Sequence, residues 1–213
     1  MLPVLVAVLG CAKGPDLADT VASYAGNPYQ VEQLDFTFVV EVEGEEKVRR
    51  THRWQPMAGA LTVEAGESVV SFVGLRDAPD LSAWVEDHEG HAADWARFAP
   101  DADPEAAAEA WARFVNDSYW LLAPSKVLDP GVVRTEQDGV LALDFEGVGI
   151  TPGDHYELTV DSSGKVTGWT YTLQGGREGA WTFEDYRALG PLNLSLRRVG
   201  ETAVIWFDDV SVR

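Results

Sequence analysis

Between Val31 and Val42 the chain reads VEQLDFTFVVEV. Leu34, Phe36, Phe38, Val40 and Val42 fall on one side of an extended backbone, and Asp35, Thr37 and Glu41 fall on the other. Successive side chains on a strand point to opposite faces, so this spacing predicts a strand with one buried and one wetted face. The pattern recurs. KVRRTHRW returns after the turn at Glu43-Gly44-Glu45, and GALTVEA and ESVVSFVG flank Ala65-Gly66. Further on, GVVRTE and VLALDFEGV surround Asp138-Gly139, and HYELTVD and KVTGWTYTLQ surround Ser162-Ser163-Gly164. GAWTFEDY follows Gly175-Gly176, and LNLSLRRV and TAVIWFDDV end the chain. Glycine-bearing turns between alternating segments predict antiparallel meanders, about eleven strands in all.

Two segments carry a helical period instead. DLADTVASYAG places Leu17, Val21 and Tyr24 on one face, with Gly26 and Pro28 as stop signals. DADPEAAAEAWARFVNDSYW is framed by Asp103 as N-cap, Pro104 in the first turn and Glu105 at the positive end of the helix dipole. Trp111, Phe114, Val115 and Ser118 share a face, and Pro124 bars continuation. Asp129-Pro130-Gly131 has the residue order of a type II turn that launches the next strand. LSAWVEDHEGHAADW, between the first meander and this helix, is ambiguous and reads as a strand and turn.

An antiparallel sheet of this size curls or splits rather than staying flat, and helices with one apolar face cover part of it. The expected fold is α+β: a large curved antiparallel sheet, or half-barrel, with the N-terminal helix and the central helix on its concave side. A curled sheet partly plugged by a helix leaves an apolar hollow suited to hydrophobic ligands. The candidate wall is aromatic: Trp54, Phe72, Trp111, Phe114, Tyr119, Trp120, Trp169, Tyr171 and Trp181, with Trp206 a further candidate. Each alone is more readily explained as core than as a ligand contact, and only the set on a curved sheet makes a pocket. A solidly packed half-barrel that meets a protein partner is the alternative.

The chain begins MLPVLVAVLGC. Leu2 to Leu9 is too short to span a bilayer as a helix, which needs about 20 residues, and it suits the apolar region of a signal peptide. Val8-Leu9-Gly10-Cys11 resembles the bacterial lipobox, in which the cysteine is lipidated and the peptide is cut just before it. No Lys or Arg precedes the run, which departs from the usual positive start. A buried strand with a core cysteine is the competing reading. The expected division is a signal peptide over 1–10, a lipidated tether and helix over 11–28, and one half-barrel domain over 29–213. Cys11 is the expected lipid attachment site, with palmitate among the acyl groups. Ala12 is not an acidic retention residue, which favours the outer membrane, facing the periplasm.

The order of these parts resembles the LolA/LolB-type lipoprotein-carrier fold. WARFVNDSYWLLAPSKVLDPGV, VGITPGDHYELTVDSSGKVTGWTY and WTFEDYRALG, within residues 107–190, resemble a group of uncharacterised bacterial lipoproteins of that superfamily. The resemblance implies a half-barrel that holds acyl chains or other hydrophobic ligands. It implies no reaction.

Other functions have weaker support. A formal net charge of −19, from 35 acids and 16 bases, argues against a nucleic-acid partner. There is no Gly-x-Ser-x-Gly elbow, and His52, His88, His91 and His155 lie in no triad context. Asp87, His88, Glu89 and His91 carry zinc-ligating groups, but Gly90 and the spacing favour a solvated acidic loop. Asp117, Glu184-Asp185 and Asp208-Asp209 are candidate paired carboxylates in a chain where chance pairs are expected. Lys47, Arg49, Arg50 and Arg53 either meet a lipid headgroup or acidic partner, or pair across strands with Asp35, Glu41 and Glu43; the second is preferred. No catalytic residue, metal site or cofactor is expected.

Overall fold

The structure is a computed structural model that describes residues 16–145 and 149–213. Cys11 and the signal peptide expected over residues 1–10 lie outside the described residues. The chain runs α1 (Leu17–Ala25), β1 (Leu34–Val42), β2 (Glu45–Gln55), β3 (Ala60–Ala65), β4 (Ser68–Phe72), α2 (Ala92–Phe98) and α3 (Pro104–Leu122). It continues with β5 (Val132–Gln137), β6 (Val140–Phe145), β7 (His155–Val160), β8 (Val166–Thr172), β9 (Glu178–Leu189), β10 (Leu192–Val199) and β11 (Ala203–Val212).

All eleven strands join one open antiparallel sheet in the order β4-β3-β2-β1-β11-β10-β9-β8-β7-β6-β5. Every neighbour is consecutive in sequence except β1 and β11, where the two meanders meet. Their register runs from Leu34 opposite Val212 to Val42 opposite Ala203. β10 and β11 pair only from Arg197–Trp206 to Val199–Val204. Beyond that point each strand stays with its other neighbour.

The helices divide the core in two. α2 and α3 cover β1–β4 and the β10–β11 region, burying Phe36, Phe38, Phe72, Trp95 and Phe114 among others. α1 lies over β6–β9, with Ala18 and Val21 against Leu141, Leu158 and Trp169. α1 starts where Asp16 accepts from the Ala18 amide and Glu136 Oε1 accepts from the Leu17 amide at 3.0 Å. It stops at Gly26, whose φ of +85° and close approach to the Pro191 carbonyl exclude a side chain.

α3 begins as expected, with Asp103 accepting from the Ala106 amide at 2.8 Å. Its other end is closed from outside. In a continuing helix the Trp120 carbonyl would accept from the amide of residue 124, but Pro124 has none. Arg198 Nη2, from β10, donates to that carbonyl at 2.8 Å. Arg198 is 0% exposed, lies 3.6 Å above the Phe183 ring and also donates to Ser195 O at 2.9 Å. Burial without a carboxylate pulls its pKa down to about 9, which leaves it charged at neutral pH.

The ambiguous segment holds no strand. It forms a 3-10 turn at Leu81–Trp84, then turns and α2. α2 is too short to show a helical period, and its purpose appears only in three dimensions. Trp84 packs on Trp95 at 5.7 Å and on Phe98 at 6.0 Å, closing the end of the first core.

Candidate functional site

One face of α3 stays open. Trp111, Phe114, Val115, Ser118, Tyr119 and Leu122, spaced three and four apart, line a cavity of about 930 Å³. One wall comes from the end of β2 and the segments after β4. Trp54 sits 5.6 Å from Phe114 and 5.6 Å from Tyr29, while Met57, Leu75 and Arg76 continue the wall. The other comes from β6–β8. Tyr119 packs on Phe145 at 5.4 Å and Tyr156 at 5.5 Å, and Trp120 packs on Trp169 at 4.7 Å.

Polar groups punctuate this surface. Trp111 Nε1 donates to Ser82 Oγ at 3.3 Å. Tyr29 donates its hydroxyl to Asp129 at 3.0 Å, and Lys126 Nζ reaches the same carboxylate at 2.5 Å. The Tyr119 hydroxyl and the Trp169 indole N–H are buried with no hydrogen-bond partner among the described residues. Burial pushes the Tyr119 phenol well above its usual range. No helix among the described residues is long and apolar enough to cross a membrane.

Of the expected aromatics, Trp54, Trp111, Phe114, Tyr119, Trp120, Trp169 and Tyr171 line the cavity. Phe72 and Trp181 stand behind it. Phe72 is 1% exposed and backs Trp111 at 5.9 Å, and Trp181 backs Trp120 at 5.0 Å. Trp206 borders a separate, smaller hollow beside Asp208 and Asp209. Sequence reasoning missed Tyr29, Phe145 and Tyr156. Tyr29 sits just after the helix stop and was assigned no strand, whereas Phe145 and Tyr156 alternate regularly and were open to the same inference as Tyr171.

The other candidate groups have different surroundings. Asp117 is 0% exposed on α3, where Arg50 Nη2 reaches it at 2.6 Å, His52 Nε2 at 2.8 Å and Asn116 Nδ2 at 2.9 Å. It ties α3 to β2. Arg50 therefore faces inward, while Arg49 and Arg53 face out. Their partners are not those expected: Lys47 pairs with Glu45, Arg49 with Glu46 and Asp208, and Arg53 with Glu64. Asp35 is opposite Arg53 in register but pairs with Arg213 at 3.3 Å. The bulge between Val40 and Glu41 sets Glu41 opposite Glu46 and skips Lys47. Glu184 pairs with Arg197 and Asp185 with Arg187. His91 stacks on Trp84 at 5.1 Å and meets Asp94 at 3.2 Å. Among the described residues, no three metal-ligating side chains converge.

The arrangement of one antiparallel sheet and its helices is similar to that of a known structure. A LolA superfamily protein from Nitrosomonas europaea superposes at a TM-score of 0.50, with 12% identity and 92% of each chain covered. The fold is LolA-like. A DUF1329 family protein from Desulfovibrio piger superposes at 0.42, with 10% identity over 92% of this chain and 90% of the other. No family model and no curated protein matches the sequence. In the LolA-like half-barrel of this chain, the cavity lies between the α3 face and the sheet ends.

Proposed function

We propose that this protein is a non-enzymatic, lipid-anchored protein of the bacterial envelope that holds a hydrophobic or acyl ligand in its half-barrel. The observation that carries the reading is the 930 Å³ cavity along α3, walled mainly by aromatic and aliphatic side chains. Such a space is at the upper end of small-molecule sites. It weighs against a solidly filled interaction module. Anchoring rests on the lipobox-like Val8-Leu9-Gly10-Cys11, with the outer membrane as the site and the periplasm as the compartment. Two acyl chains or more hold a protein stably on a bilayer, where one is marginal.

Saturable binding of N-phenyl-1-naphthylamine, displaced by a long-chain lipid, tests the cavity. Absence of both saturation and displacement refutes it. Metabolic labelling with a palmitate analogue tests the anchor, and label that survives Cys11→Ala refutes it.

A further inference from the structure

Charge around the cavity differs from charge over the rest of the molecule. The whole chain has 35 acids against 16 bases. The cavity lining has equal numbers: Arg76, Lys126 and Arg177 against Asp80, Asp129 and Asp154. The acids are engaged. Asp80 accepts from the Ser82 amide at 2.9 Å, and Asp129 takes Lys126 and Tyr29. Asp154, 3% exposed, accepts from the Tyr156 hydroxyl at 3.2 Å and the Gln174 amide at 3.0 Å.

Two of the bases are not engaged in that way. Among the described residues, Arg177 makes no side-chain hydrogen bond or ion pair, and Arg76 donates only to the Met57 carbonyl at 3.2 Å. Both are exposed at the rim. Elsewhere on this acidic surface, most exposed arginines have carboxylates: Arg49 has Asp208, Arg53 Glu64, Arg187 Asp185 and Arg197 Glu184, while Arg134 is held by the Val127 carbonyl at 3.0 Å. Guanidinium donors left over where acids are abundant, at the edge of an apolar hollow, match the planar oxygens of a carboxylate or phosphate.

We propose that the cavity takes an anionic amphiphile, an alkyl chain with a carboxylate or phosphate head. The head is held at the rim by Arg177, with Arg76 as a further anion contact, and the chain lies along the aromatic face of α3. This rests on the ligand-binding reading above and adds the class of ligand.

The test is displacement of N-phenyl-1-naphthylamine by three ligands with the same chain: oleate, oleoyl lysophosphatidate and oleyl alcohol. Each is used at low ionic strength and below its micelle concentration. The anionic ligands are expected to bind about three- to tenfold more tightly than the alcohol. That preference is expected to shrink in Arg177→Gln and further in Arg177→Gln with Arg76→Gln. Lys47→Gln, which removes the same charge remote from the cavity, is expected to leave it intact. The stronger of oleate and lysophosphatidate identifies the head group. Equal binding of all three, unchanged in the arginine variants, overturns the anionic assignment while leaving the cavity reading in place. Failure of all three to displace the probe overturns both.

Discussion

Arg198 and Pro124 make a coupled pair that a double-mutant cycle can isolate. Arg198→Met keeps the volume roughly constant and removes a fully buried guanidinium. Removing a buried charge in favour of an apolar chain is often neutral or stabilising in itself. Here it also strands the Trp120 carbonyl, which receives a 2.8 Å bond from Arg198, and breaks the bond to Ser195 O at 2.9 Å. Each orphaned acceptor costs about 1–3 kcal/mol. After the relief of desolvation the net loss is about 2–3 kcal/mol. Pro124→Ala supplies an amide at the helix position that serves Trp120. Flanking bonds already follow helical spacing, with Ala123 N–H to Tyr119 O and Lys126 N–H to Leu122 O at 3.1 Å. That amide therefore restores about 1 kcal/mol in the Arg198→Met background. The assay is urea unfolding followed by tryptophan fluorescence, with midpoints compared at constant slope. Additivity of the two changes to within about 0.3 kcal/mol refutes the account of Arg198 as the surrogate donor.

Asp117→Ala leaves buried His52 and half-buried Arg50 without their carboxylate, and is expected to cost about 3–5 kcal/mol. A thermal midpoint within about 2 °C of wild type contradicts the buried-cluster reading. Trp120→Ala removes the packing on Trp169 and Trp181 at 4.7 and 5.0 Å. It is expected to cost about 3–5 kcal/mol and to change probe affinity, and a variant unchanged in both sinks its assignment to wall and core. Burial raises the phenols of Tyr119, Tyr156 and Tyr186. The folded state thus keeps protons that the unfolded chain loses above about pH 10, and stability falls as pH rises through that range. Arg198, lowered to about 9, titrates with the opposite sign, so urea midpoints are measured from pH 10 to 11 in the Arg198→Met background, and a rise there refutes it.

Much of this architecture is legible because strands and amphipathic helices write their burial into sequence. Period-two spacing marked β1 and β10, glycine and aspartate marked the turns, and Asp103-Pro104 marked the start of α3. The helix face that carries Trp111 and Phe114 could be read the same way, and so seven of the nine expected aromatics line the cavity. The stretch after the helix also turned as expected, with Gly131 at a φ of +84°. α2 was not legible, because one short turn-rich segment has no period to show. The destination of Asp117 was not legible either. A short polar residue within a helix is open to solvent, backbone or ion-pair roles, and only the approach of β2 brings Arg50 and His52 to it.

By itself, the sequence determined the buried faces that carry Leu34, Phe36 and Phe38 in β1 and Leu192, Leu194 and Leu196 in β10, where α1 and α3 start, and that the chain is a run of meanders around a central helix. These are local choices, settled by side-chain alternation, caps and turn residues within a few positions of one another. Thr37 and Ser195, on the faces expected to be wetted, are buried as well. Only the tertiary structure decided that β1 pairs with β11 across the length of the chain, which joins two meanders into one sheet. It alone decided that Arg198 caps a helix some 78 residues earlier. Both depend on strands and groups far apart in sequence, and alternation names a face without naming the neighbour on it.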